Sequence, residues 1–146
     1  MRFMIIRKAT PESEADRDVA PSAELMEAMA AYNLEMIKAD VFRGGDGLWP
    51  SSKGARVAIS RDGAKPVVTD GPFAETKELV AGFTMIEVAS REEALDWATR
   101  WPPEDGPVEL EIRQVYEFED FQTPPDATLE TWGEMEQAFK ALDPKR

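Results

Sequence analysis

A chain of 146 residues, 42% apolar and 32% charged, holds one domain-sized core and is too short for two comfortable ones. It contains no cysteine and no histidine, which removes disulfides, thiolate chemistry, the usual proton shuttle and the commonest metal ligand. The net charge of −12 argues against direct nucleic-acid binding and against anionic membranes, because a polyanion gains nothing from counterion release. That charge is uneven: from Glu104 onward there are twelve acidic and four basic residues. No apolar run approaches the ~18 residues needed to cross a bilayer. The first residues also lack the layout of a secretory signal, so a cytoplasmic location is expected.

Residues 2–8 are apolar on both alternations (Phe3 and Ile5, Met4 and Ile6), the pattern of a strand covered on both faces. Residues 9–21 carry Pro11 and Pro21 without periodicity and read as a loop. Ser22 can cap a helix in which Leu25, Met29, Tyr32 and Met36 recur at helical spacing, a stripe better suited to core packing than to an adaptable binding surface. Gly44, Gly45 and Gly47 lack the Gly-Lys-Ser/Thr of a phosphate loop, so a bent strand is expected there. Residues 55–61 and 65–69 flank Asp62-Gly63-Ala64 as a hairpin, and residues 80–89 form the next strand. Ser90-Arg91-Glu92-Glu93 reads as a capping box opening a helix that buries Ala94, Leu95, Ala98 and Trp101 before Pro102-Pro103. Val108, Leu110 and Ile112 alternate with charges as a half-buried strand. A last helix carries Leu129, Trp132, Met135, Phe139 and Leu142 along one side.

Without the hairpin and the last helix, this order is βαββαβ, an α+β ferredoxin-like plan. The expected division is a domain over residues 1–121, then a linker and amphipathic helix over 122–146 that packs on the domain or on a dimer partner.

Between the hairpin and the following strand lies Asp70-Gly71-Pro72-Phe73-Ala74-Glu75-Thr76-Lys77-Glu78. Asp bonds nearby backbone N–H groups, Gly tolerates unusual backbone angles and Pro pre-sets φ, so this is a built corner that can also cap a helical turn. The stretch resembles the signature of the YCII-related family, in its DGPF-motif branch. Gly47-Leu48-Trp49-Pro50-Ser51-Ser52, Gly54-Ala55-Arg56-Val57, Ala81-Gly82-Phe83 and Ser90 to Pro102 resemble the same branch, in order, across residues 1–121. The resemblance implies two ferredoxin-like sheets meeting as a dimeric α/β barrel, hence a homodimer. It also implies an association with extracytoplasmic-function sigma factors, through protein contact.

The wider family's catalytic suspicion rests on a paired His and Asp, and here only Asp70 matches. Asp70 serves either as an acid/base, if burial raises its pKa, or as a turn cap that stays ionised. Around it, Arg56, Phe73, Glu75, Lys77 and Ser51 are the candidate ligand contacts. Arg56 and Lys77 offer charge for a developing anion, Glu75 faces a cleft and Phe73 forms its apolar wall. The bland alternatives are a surface arginine, local helical pairing of Glu75, Lys77 and Glu78, and a core phenylalanine. Ser51 has no histidine to activate it. No metal site and no cofactor are indicated. The leading expectation is a small-ligand-binding or regulatory domain. Set against it are a cofactor-independent enzyme acting on a small organic acid, and an interaction scaffold whose pocket is filled by side chains.

Overall fold

The computed structural model describes residues 1–15, 20–75, 78–121 and 130–142. The chain forms two compact units, Met1–Val115 and Tyr116–Arg146.

In the first unit, β1 (Arg2–Lys8) is paired antiparallel on both sides, with β5 (Val80–Glu87) and with β6 (Leu110–Gln114). β2 (Phe42–Gly47) adds to the outer side of β5, so the sheet runs β2-β5-β1-β6. Helix α2 (Ala23–Lys38) links β1 to β2, and α3 (Arg91–Thr99) links β5 to β6. This is the ferredoxin-like strand order expected from the βαββαβ reading. The hairpin of β3 (Ala55–Ala58) and β4 (Val67–Asp70) stands as a separate two-stranded sheet between the second and third core strands, and all eight of its residues are exposed.

Alternation decides which strand residues enter the core. Phe3 and Ile5 of β1 face Ile86 and Thr84 of β5 in register, and these four are buried. Tyr32 and Met36 of α2 and Ala94, Trp97 and Ala98 of α3 close over them. Each of Ile5, Met36 and Ile86 is almost wholly enclosed, which stabilises the fold by about 1.5–3 kcal/mol per side chain relative to exposure. Tyr32 Oη donates to the Trp97 carbonyl at 2.8 Å, so burying this phenol leaves no orphaned hydroxyl. Burial still pushes its pKa up to about 12, against a smaller opposing pull from Arg100.

Local chemistry sets the element ends. Ser22 accepts the Leu25 N–H at 3.1 Å and starts α2. Ser90 accepts the Glu93 N–H at 3.2 Å and starts α3. The Glu93 carboxylate reaches back one residue further than a capping box requires, to the Ala89 N–H at 2.8 Å. Gly44, at φ +129°, sits where the β2–β5 register shifts, and this is the predicted bend.

Two expectations need correction. Residues 9–21 are not all loop: α1 (Pro11–Glu14) is a single helical turn, capped by Thr10, whose hydroxyl accepts the Ser13 N–H. Residues 16–19 lie outside the described segments. In α3 the side chain that fills the core is Trp97, whereas Leu95 and Trp101 are half-buried. A period counted from Ala94 and Ala98 passes over Trp97, although it lies three residues from one and next to the other.

The second unit holds α4 (Glu130–Leu142). Its expected stripe runs through Trp132, Met135, Phe139 and Leu142, while Leu129 lies outside the described residues. Phe118 packs edge-on against Trp132 and Phe139 at 5.8 and 5.9 Å, and Phe121 meets Trp132 at 5.2 Å.

Candidate functional site

The Asp70–Phe73 corner is built around Ser51. Its hydroxyl donates to a Glu14 carboxylate oxygen at 2.5 Å and accepts the Phe73 N–H at 3.1 Å, while the Ser51 N–H donates to the same Glu14 oxygen at 3.0 Å. The Gly71 N–H donates to the Gly54 carbonyl at 3.0 Å, and the Gly71–Pro72 peptide is cis. Only glycine fits at 71, because a Cβ there would lie 1.8 Å from the Ser51 carbonyl oxygen. Arg56 stacks over the Phe73 ring at 4.0 Å from its centroid, a cation–π contact.

The structure therefore brings Ser51, Phe73 and Arg56 together. Asp70 ends β4 opposite Ala55, exposed to solvent, and it opens no helix within residues 71–75. Glu75 is exposed too, and Lys77 lies outside the described residues.

A different place in the same unit offers volume. Between α2 and the sheet lies a cavity of about 800 Å³, within the range of small-molecule sites. Its origin is in the strands. Gly45 pairs with Thr84 and Gly47 with Gly82, so at this end the helix-facing side of β2 and β5 has three glycines. At the other end of the same face, Phe3, Ile5 and Ile86 fill the space beneath the helices. A side chain added at Gly47 would meet nothing within 4 Å. Leu25, Met26 and Met29 of α2 form the opposite wall. The methionine stripe thus has two uses: Met36 lies in the core, and Met26 and Met29 line the cavity.

The polar lining is ordered in advance. Arg7 Nε and Nη2 donate to the two carboxylate oxygens of Asp105 at 2.6 and 2.8 Å, and Trp101 Nε1 donates to Asp105 at 2.9 Å. The two charged side chains are only 16% and 8% exposed. Bidentate pairing satisfies the buried carboxylate and fixes the guanidinium plane. Buried Thr84 also lines the cavity, as does Asn33, whose Oδ1 is enclosed without a hydrogen-bond partner among the described residues.

None of the five described sequence-derived candidates, Asp70, Arg56, Phe73, Glu75 and Ser51, lines this cavity. Several that do, Gly47, Leu48, Ala81, Gly82 and Trp101, lie in the family-like stretches, whereas Arg7 was signalled only as an arginine inside an apolar strand. Among the described residues no cluster of three or more acidic side chains could hold a metal ion, and no helix is long and apolar enough to cross a membrane.

A family model described as the YCII-related domain matches residues 1–119. An uncharacterized protein of Rhizobium meliloti (strain 1021) is 48% identical over 44 residues, covering 30% of this chain and 36% of that relative's length. Among solved structures, 5-chloro-2-hydroxyhydroquinone dehydrochlorinase from Burkholderia phenoliruptrix AC1100, in complex with 2,5-dihydroxybenzoquinone, is 15% identical. It covers 84% of this chain and 100% of its own with a TM-score of 0.37, too low to carry over a site.

Proposed function

The chain belongs to the YCII-related family, and from that premise we propose that it binds a small organic molecule in the cavity between α2 and the sheet. The observation that carries this reading is the glycine floor. Gly47 opens directly onto about 800 Å³, with Gly45 and Gly82 letting β2 and β5 approach closely beside it, next to a pre-paired Arg7–Asp105–Trp101 set. A packing defect of that size would be filled in an ordinary core, where voids larger than a water molecule are few.

We also place the chain in the DGPF-motif branch, with its corner acting as a tether. Ser51 holds Glu14 of α1, and the preceding residues of that helix, Glu12 and Ser13, line the cavity. The corner therefore sets the position of one wall. Acid/base chemistry by Asp70 needs the hairpin end to reach the cavity, whereas binding requires no such movement. A homodimer that closes an α/β barrel is supported by the other sheet face, where Met4 pairs with Met85 and Ile6 with Phe83, all four half-buried. A cytoplasmic location fits this reading. The link to extracytoplasmic-function sigma factors rests on the resemblance alone.

The test compares wild type with Gly47→Leu, which fills open space, in a thermal-shift screen of small organic molecules. A ligand at a hundredfold excess over its Kd adds about 2.7 kcal/mol to the native state. Ligands are expected to raise the Tm of wild type and of Asp70→Asn, and not that of Gly47→Leu. Equal shifts in Gly47→Leu would place binding elsewhere.

A further inference from the structure

Resting on that binding reading, we infer the class of ligand: an uncharged, mostly apolar molecule whose hydrogen-bond acceptor meets the Arg7 guanidinium. An arginine in a pocket ordinarily suggests an anion, but this one is already neutralised. Asp105 Oδ1 accepts from Arg7 Nη2, and Oδ2 accepts from both Arg7 Nε and Trp101 Nε1, so three of the carboxylate's roughly four acceptor sites are engaged and it is held against the guanidinium. An anionic ligand must displace Asp105 or lie beside it, and the pair's shielded position leaves little water to screen that repulsion.

Of the other two charged residues along the lining, Glu12 and Asp46, both are acidic, but Asp46 pairs with Phe83 and projects from the opposite sheet face. Arg7, Asp105 and Glu12 together make the cavity side net −1. A cation fares poorly for a separate reason: it must approach Asp105 beside the Arg7 guanidinium, which already shares that carboxylate and repels a second positive charge. What the pair can still offer is N–H. Arginine has five donors, of which two are spent on Asp105, and Nη1 makes only a long 3.4 Å contact with the Lys8 carbonyl. The outward N–H groups suit a carbonyl, amide or hydroxyl oxygen. The Asn33 amide supplies a second polar contact, and Leu25, Met26 and Met29 take the apolar body.

Matched probes decide this. Two sets share a skeleton and differ in charge: benzamide, benzoate and benzylamine, and hexanamide, hexanoate and hexylamine. Their affinities are measured by NMR titration against the full chain, with Gly47→Leu as the blocked control. The amide of each set is expected to bind at least tenfold more tightly than its carboxylate and its amine. Arg7→Met alone leaves Asp105 uncompensated and can unfold, so the paired variant Arg7→Met/Asp105→Leu removes both charges together. It is expected to keep the fold and to lose at least tenfold in amide affinity. Neutralising the other acid on the cavity side, in Glu12→Gln, should strengthen benzoate and hexanoate binding.

Carboxylates or amines that bind more tightly than the amides would overturn the ligand class and leave the cavity reading intact, provided Gly47→Leu abolishes that binding. Unchanged amide affinity in the paired variant would equally remove Arg7 from recognition. Failure of every probe, or equal binding to Gly47→Leu, would overturn the class and the cavity reading together.

Discussion

Ser51 joins three stretches of chain through one small side chain, accepting from Phe73 and donating twice to Glu14. Ser51→Ala leaves the Phe73 N–H and the Glu14 carboxylate short of a partner, at a cost of about 1–3 kcal/mol. Gly71→Ala should cost at least as much, because the added methyl meets a backbone carbonyl rather than a movable side chain. Urea unfolding of the two variants against wild type checks both. Tyr32 gives a pH-dependent prediction. Its phenol ionises near 10 in the unfolded chain and near 12 when buried, so between those values the unfolded state has lost a proton that the native state keeps. Stability from this group is full below pH 10, falls from 10 to 12 and then levels. Tyr32→Phe should flatten that part of the difference in denaturation midpoint between the two proteins. An unchanged slope in the variant would show that Tyr32 is not the group responsible.

The helices and strands owe their limits to a few caps and to alternation. Ser90→Ala should cost about 1 kcal/mol by leaving the Glu93 N–H uncapped, visible as a lower Tm with unchanged far-ultraviolet dichroism. These devices act within four residues of one another, which is why α2, α3, the hairpin and the four core strands are legible in the chain without its structure. α1 is less so, since one turn has no period to detect and only the Thr10-Pro11 pair announces it. The place of Trp97 is likewise hidden, because its burial depends on how α3 lies across the sheet and on the phenol of Tyr32 beneath it. The Asp70 corner was legible as a corner. Its role was not, because Ser51 and Glu14 reach it from 22 and 59 residues away in sequence, counted to Phe73.

At the scale of the whole first unit, one sheet face does two jobs. Large side chains fill one end and build the core, and glycines clear the other end and leave the cavity. Only the topology reveals this division, since it sets β2 beside β5 and brings Arg7 to Asp105 across 98 residues of chain. In the proposed reading, the corner motif Asp70 to Phe73 secures a wall of the cavity, while the charged recognition groups Arg7 and Asp105 come from outside any quoted motif. That assignment is the central claim, and a titration of the 15N-labelled protein with its best-binding amide tests it directly. The Trp101 indole N–H and the amides of Gly47, Gly82 and Thr84 should shift together with one saturating concentration, while Asp70 and Glu75 stay in place. Shifts confined to residues 70–75 would contradict the account and return the site to the corner.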